Sequence, residues 1–95
     1  MHRTVLKLYN DIVASQIADF KRKVGDLISQ DDVLIIEIDC SEVNFIDSIG
    51  IGALVALNEA MKKKGGEIII SNLSREIFDI LQTMCLDNYL TIVNA

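Results

Sequence analysis

Residues 33–52 read VLIIEIDCSEVNFIDSIGIG and hold the most informative part of the chain. The first six residues are almost all aliphatic, which is typical of a parallel β-strand buried on both faces. Residues 39–47 carry several short polar side chains and predict a loop. A helix is predicted from Ser48 to about Lys64, where the glycine pair at 65–66 ends it. A strand that leads through a loop into a helix is the building unit of an α/β fold.

The rest of the chain repeats this unit. The other predicted elements are a strand at residues 4–9, a helix from a Ser15 cap to about Ser29, a strand at 67–71, a helix from a Ser74 cap to about Cys85, and a strand at 89–93. The order is therefore β-α-β-α-β-α-β. Because such crossovers are right-handed, this order predicts an α/β fold with a four-stranded, mostly parallel sheet and three helices packed mainly on one face. No linker or repeat interrupts it, so we expect a single domain over residues 1–95.

Composition and charge exclude several classes of protein. The chain has 95 residues, 51% of them hydrophobic, no proline and a formal net charge of -5. This composition is typical of a folded domain, and the acidic balance is unfavourable for binding nucleic acid or an anionic membrane. The longest apolar runs, 33–36 and 53–57, are too short to span a membrane, which takes about 18 residues. The first residues show no signal-peptide pattern, so we predict a soluble, cytoplasmic protein.

The sequence lacks the patterns of common catalytic, metal and cofactor sites. Cys40 and Cys85 do not form the CxxC spacing of a zinc site. The glycine pair at 65–66 is not followed by the Lys-Ser/Thr of a phosphate-binding loop. Ser48 lacks the upstream glycine of a hydrolase elbow, and the only histidine is His2, next to the N-terminus. We therefore predict no catalytic residues, no metal and no cofactor.

Ser48 is the first residue that points toward a function. At the start of a helix, a serine hydroxyl can simply cap the helix by accepting a backbone N–H from the first turn. The other interpretation is a switch, because a phosphate there would lie at the positive end of the helix dipole and be tolerated by the fold. A partner bound at this corner would then meet about two new negative charges. Local chemistry leaves both interpretations open.

The helix that follows Ser48 is predicted to have two different apolar sides. The core-facing side carries Gly50, Ile51, Leu54, Leu57, Asn58 and Met61, and the outer side carries Ile49, Gly52, Ala56, Glu59, Ala60 and Lys63. Near the N-terminus the outer side is unusually smooth for a solvated face, which favours the close approach of a partner. The alanines are explained equally well by helix propensity. The exposed apolar side also permits a homodimer.

Residues 45–52, FIDSIGIG, resemble the Asp-Ser-x-Gly-Leu/Ile signature of the STAS domain family, which includes the bacterial anti-sigma factor antagonists. The resemblance extends over about residues 5–93. It includes the aliphatic strand, the helix that ends in Lys-Lys-Gly-Gly and the strand at 67–71. Many members carry an aspartate just before the first helix, where this sequence has Val13, with Asp11 two residues earlier. The resemblance implies a STAS-like fold and a partner-switching module that is not an enzyme.

The resemblance also implies specific partners. In such families the unphosphorylated antagonist binds an anti-sigma factor that is a GHKL-type serine kinase, and a sigma factor is released. The kinase phosphorylates the motif serine, here Ser48, and a serine phosphatase resets the switch. The implied docking residues are Asn44, Phe45, Ile46, Asp47, Ser48, Ile49, Gly52 and Ala56. No nucleic acid and no direct membrane insertion are expected. The alternative is a constitutive STAS interaction subunit of a larger signalling or transport assembly, with no phospho-switch.

Overall fold

The computed structural model describes residues 2–93, which form one sheet and three helices. The strands are β1 (His2–Lys7), β2 (Val33–Asp39), β3 (Glu67–Ser71) and β4 (Thr91–Val93), and the helices are α1 (Ile17–Ile28), α2 (Ser48–Lys63) and α3 (Arg75–Thr83). The predicted element order and the STAS-like α/β architecture are confirmed. Residues 1, 94 and 95 of the predicted domain lie outside the described residues.

The four strands are all parallel and lie in the order in which they occur in the sequence, β1-β2-β3-β4. Each pair of neighbouring strands is connected by one helix. Because these connections are right-handed and always step in the same direction, all three helices lie on one face of the sheet. The loops that follow the strands meet at one edge of the sheet, and the loops that precede them meet at the other.

The hydrophobic core lies between the helices and this one face. On β2, Ile36 and Ile38 are fully buried, whereas Ile35 and Glu37 point the other way and are only half-buried. Val5 on the open face of β1 is 58% exposed. The prediction that β2 is buried on both faces is therefore wrong, because no helix within residues 2–93 covers the second face. The aliphatic run reflects the middle position of β2 in the sheet and not a second protein layer.

A charged side chain on the open face is held by its neighbours. Glu37 accepts a hydrogen bond from the Arg3 guanidinium and another from Ser71 Oγ at 2.8 Å. These hydrogen bonds lower the pKa of Glu37 below its usual value. The negative charge of Glu37 on β2 is therefore stabilised by Arg3 on β1 and by Ser71 on β3.

The start of α1 differs from the sequence prediction, whereas the start of α3 agrees with it. Ser15 is not the cap of α1 but lies in a single 3-10 turn, Ala14–Gln16, and α1 begins at Ile17 with Gln16 as its N-cap. The backbone at the start of this turn is hydrogen-bonded to the loop after β2. The Ser74 prediction is confirmed, since Ser74 Oγ accepts the N–H of Ile77 at 3.2 Å.

A lysine connects the C-terminal ends of α1 and α2. Lys64 Nζ donates to the carbonyl oxygen of Ile28 at 2.6 Å and to that of Gln30. These carbonyls lie at the C-terminal end of α1, where unpaired oxygens and the negative end of the helix dipole attract a cation.

No helix within residues 2–93 has both the length and the apolar character needed to cross a membrane.

Candidate functional site

Three loops meet at the edge of the sheet where the strands end. An isolated parallel bridge between Ile12 and Ile46 joins the loop after β1 to the loop after β2. The loop after β2 also borders the start of α3 across a cleft of about 420 Å³, lined by Asn44, Phe45, Ser74, Arg75 and Glu76. In open α/β sheets this edge is the usual position of functional sites.

The loop before α2 is held against the loop after β1 by hydrogen bonds. Ile12 N donates to Phe45 O at 3.1 Å, and Asp47 N donates to Ile12 O at 3.3 Å. In addition, Asp11 Oδ1 accepts the backbone N–H of Asn44 at 2.8 Å and of Phe45 at 3.2 Å. Four hydrogen bonds thus fix the backbone of this loop, so its exposed side chains are presented in a defined arrangement.

Asp47, and not Ser48, is the N-cap of α2. Asp47 Oδ1 accepts the N–H of Gly50 at 2.8 Å, while Oδ2 accepts the N–H of Ala14 at 2.9 Å. Its extended backbone, with φ -110° and ψ -180°, is the conformation that an N-cap requires. Ser48 is the first helical residue, is exposed, and makes no side-chain hydrogen bond within residues 2–93. The interpretation of Ser48 as a cap is therefore wrong, and its hydroxyl is available to solvent.

The aspartate beside Ser48 stays ionised. The N–H groups of Ala14 and Gly50 stabilise the carboxylate and lower the pKa of Asp47. The close packing that brings these groups together depends on Gly50, which is buried against the backbone of Ile12. A fixed negative charge therefore lies next to the exposed Ser48 hydroxyl at neutral pH.

We expect Asp47→Ala and Ser48→Ala to have very different effects on thermal stability. Asp47→Ala removes the cap of α2 and the acceptor of Ala14 N, so Tm falls by about 5–10 °C. Ser48→Ala removes no hydrogen bond seen within residues 2–93 and shifts Tm by less than about 3 °C. Thermal unfolding followed by circular dichroism measures both. Equal losses in the two variants would contradict the assignment of Asp47 as the cap.

Asp47→Asn should change the acid sensitivity of the protein. A carboxyl whose pKa is lowered in the folded state contributes stability above its unfolded pKa, about 3.9, and loses that contribution as the pH falls through the folded value. Asparagine keeps the capping acceptor but does not titrate. Between pH 7 and pH 2 we expect a smaller decrease in Tm for Asp47→Asn than for the unsubstituted protein. Parallel Tm–pH curves for the two proteins would contradict this.

The structure brings most of the predicted docking residues to one surface. Phe45 is 66% exposed and Ile49 is 53% exposed, and the other exposed members are Asn44, Ser48, Gly52 and Ala56. Ile46 and Asp47 are half-buried. Ile46 packs against the hydrophobic core and Asp47 caps α2, so these two residues support the exposed surface from its buried side. We call the exposed set, Asn44, Phe45, Ser48, Ile49, Gly52 and Ala56, the docking edge.

The outer face of α2 continues this surface. Ile49, Gly52 and Ala56 are spaced by three and four residues, so they line one side of the helix, and all three are exposed. The predicted inner side is also seen, with Gly50, Ile51, Leu54, Asn58 and Met61 buried and Leu57 half-buried. An apolar stripe with little side-chain bulk therefore runs along α2 away from Ser48.

Sequence reasoning missed the residues that support the docking edge from other loops. Asp11 was considered as the aspartate two residues before Val13 but not as a support of the loop before α2, and Ser74 was considered only as a helix cap. Arg75 and Glu76 were not considered, although they line the cleft beside Phe45. The signal that points to them is topological, because the loops after neighbouring parallel strands lie at the same edge of the sheet.

Within residues 2–93, no group of three or more His, Cys, Asp or Glu side chains is placed to hold a metal ion. Burial raises the pKa of the Cys40 thiol to about 12, so it is a poor nucleophile. The notable chemical group at this edge is an exposed serine hydroxyl.

The comparisons with known proteins agree with this architecture. The fold and site define a one-sided parallel α/β domain that presents a rigid loop and a helix N-terminus at one edge. The sequence model of the STAS domain matches residues 2–95, and the chain belongs to the STAS domain family.

Solved structures share the fold at low sequence identity. TM1081 of Thermotoga maritima, assigned to the anti-sigma factor antagonists, is 21% identical with a TM-score of 0.85, over 98% of this chain and 79% of that one. The Bacillus anti-sigma factor antagonist SpoIIAA in its unphosphorylated form is 19% identical with a TM-score of 0.74, over 98% of this chain and 80% of SpoIIAA. A sulfate transporter family protein from Wolinella succinogenes is 16% identical with a TM-score of 0.74, and the match covers 95% of this chain and 75% of that one. At these identities the similarity shows the fold.

Proposed function

We propose that this protein is an anti-sigma factor antagonist controlled by phosphorylation of Ser48. In its unphosphorylated form it binds an anti-sigma factor that is a GHKL-type serine kinase, and a sigma factor is released in the cytoplasm. Phosphorylation ends the binding, and a serine phosphatase restores it. The protein acts as an interaction module and not as an enzyme. The observation that carries the proposal is the exposed Ser48 hydroxyl at the first position of α2, in the middle of the docking edge.

The position of Ser48 lets a phosphate change the surface without changing the fold. The capping site of α2 is already filled by Asp47, so folding does not depend on the Ser48 hydroxyl. A phosphate on the first residue of the helix would lie at the positive end of its dipole, which stabilises negative charge. The folded protein therefore tolerates the modification.

The same phosphate is unfavourable for docking. It adds about two negative charges next to the ionised Asp47 carboxylate. Its neighbours on the docking edge, Phe45 and Ile49, are exposed hydrophobic side chains that would be covered by a partner. Burying a phosphate against them would desolvate its charge without supplying a counterion, unless the partner provides one. The physical result is a partner surface that is lost on phosphorylation.

We expect Ser48→Asp to bind the partner kinase at least about 100-fold more weakly than the unsubstituted protein, because even one buried, unpaired charge in an interface is costly. Matched baits carrying Ser, Ala or Asp at position 48 are incubated with lysate of the host, and the bound proteins are identified by mass spectrometry. The kinase so identified is then purified and its Kd for each bait is measured by calorimetry.

Ser48→Ala is the matched control, because it removes the phosphate acceptor but adds no charge. It should bind as tightly as the unsubstituted protein and should resist phosphorylation by the purified kinase in the presence of ATP. If the Asp variant kept the affinity of the unsubstituted protein, and the enzymatically phosphorylated protein did too, the switch would be disproved.

A constitutive interaction subunit is the second candidate function. The specific observation in its favour is that the sulfate transporter family protein matches this fold with the same TM-score, 0.74, as unphosphorylated SpoIIAA. In that case all three baits would retain the same proteins. Intact-mass spectrometry of protein isolated from its own host would show no phosphate adduct, whereas the phospho-switch requires one on a fraction of the molecules.

A further inference from the structure

A second cleft lies at the opposite edge of the sheet, where β2, β3 and β4 begin. Its volume is about 510 Å³, within the range of small-molecule sites. It is lined by Leu34, Ile35, Asn58, Lys62, Gly65, Gly66, Glu67 and Thr91. Asn58 follows Ser48 by ten positions on α2, which places it about 15 Å further along the helix axis. This cleft is therefore separate from the docking edge.

Asn58 is an unusual residue for its position. It lies on the core side of α2 and is only 3% exposed, yet its amide Nδ2 has no hydrogen-bond partner within residues 2–93. Buried side-chain amides are normally paired, because an unpaired one costs stability. An apolar residue would suit the core side of this helix better. A buried polar group that is unpaired and lies on the wall of a cleft calls for an explanation, and function at a cost in stability is one.

The other polar groups of the cleft carry opposite charges. Lys62 is one helical turn after Asn58 and so lies on the same side of α2, with its ammonium 4.5 Å from the centre of the Tyr89 ring. Glu67, at the start of β3, supplies a carboxylate whose Oε1 accepts the Thr91 hydroxyl at 3.1 Å. The cleft thus offers an amide donor and a cation on the helix wall and an anion on the sheet wall.

We propose that this cleft binds a small zwitterion of the amino-acid type. The ligand carboxylate accepts hydrogen bonds from Asn58 Nδ2 and from the Lys62 ammonium, and the ligand ammonium pairs with Glu67. A rotation of the Asn58 amide about its broad terminal torsion turns Nδ2 into the cleft. Leu34 provides apolar surface for a ligand side chain. A simple anion would be repelled by Glu67 and a simple cation by Lys62, so a zwitterion fits the lining best.

The test is an NMR titration of the whole chain with L-phenylalanine. We expect saturable shifts of the Asn58 side-chain amide and of the Gly66 backbone amide. Phenylacetate lacks the ammonium and phenethylamine lacks the carboxylate, and each should bind at least tenfold more weakly. Ser48→Asp should bind L-phenylalanine with unchanged affinity, which separates this site from the proposed phospho-switch.

Asn58→Leu is the decisive variant, because leucine has a similar size but cannot donate a hydrogen bond. It should weaken L-phenylalanine binding at least tenfold while raising Tm by several degrees, since the unpaired amide is removed. Three results would each overturn the proposal. These are the absence of a saturable shift with L-phenylalanine, undiminished binding of L-phenylalanine by Asn58→Leu, or a lower Tm of Asn58→Leu, which would show that Asn58 is structural.

Discussion

Gly50→Ala is expected to lower the free energy of unfolding by about 3 kcal/mol or more, and Tm by about 15 °C. A Cβ at position 50 would lie 2.8 Å from the carbonyl carbon of Ile12 and would overlap the oxygen of that carbonyl. This oxygen accepts Asp47 N, so moving it away also disturbs the hydrogen bonds that lock the loop before α2. The clash is with backbone, which cannot rotate away as a flexible side chain would. Urea unfolding followed by circular dichroism measures the loss.

Gly52→Ala is the matched control two residues further along α2. A Cβ there meets nothing within 4 Å, and alanine is the better helix former, so we expect a gain of up to about 1 kcal/mol. The opposite signs of the two effects would show that Gly50 is needed for close packing and not for flexibility. Equal stability of Gly50→Ala and Gly52→Ala would contradict the close contact between α2 and Ile12 in the loop after β1.

Ile36→Ala is expected to destabilise the protein by about 4 kcal/mol, within the range for fully buried aliphatic side chains. Ile36 has no exposed surface and lies on the helix-facing side of β2. The truncation leaves a cavity between the sheet and the helices that rigid neighbouring strands cannot close. Chemical denaturation should show a lower midpoint with an unchanged dependence on denaturant, since the exposed area on unfolding stays nearly the same.

Val5→Ala tests the open face of the same sheet. Val5 is 58% exposed and lies on the side that no helix covers, so the loss should be less than about 1 kcal/mol. A comparable loss from Val5→Ala and Ile36→Ala would mean that the second face is covered in solution, for example by a second copy of the chain.

The fold was predictable because three kinds of signal agreed. The spacing of apolar residues separated helices from strands, the glycine pair at 65–66 ended α2, and the strict alternation of elements required parallel strands. The one-sided burial of β2 was not predictable from its composition. An aliphatic run such as residues 33–36 indicates a strand inside a sheet, but it does not say whether the second face is covered. The charge of Glu37 within this aliphatic strand was the only indication that one face of β2 is open.

The docking edge was predictable in outline but not in its internal roles. The sequence places Asp47 and Ser48 together at a helix start, and either residue type is a good N-cap. Which of them caps depends on backbone angles, and these are set by hydrogen bonds to a distant segment. Asp11 and Ala14 lie 33 residues before their partners Asn44 and Asp47 in the sequence. No local pattern carries that information.

The sequential strand order has a consequence for how the chain reaches its structure. Leu6 pairs with Ile38, Ile38 with Ile70 and Ile70 with Ile92, so β2 and β3 each join the sheet roughly thirty residues after the strand they pair with, and β4 joins after roughly twenty. The sheet can therefore grow by one helix and one strand at a time, in the direction in which the ribosome makes the chain. The β1–α1–β2 unit can form before β3 is synthesised. In the order of synthesis, the residues of the bridge between Ile12 and Ile46 and the residues around Ser48 all precede β3 and β4.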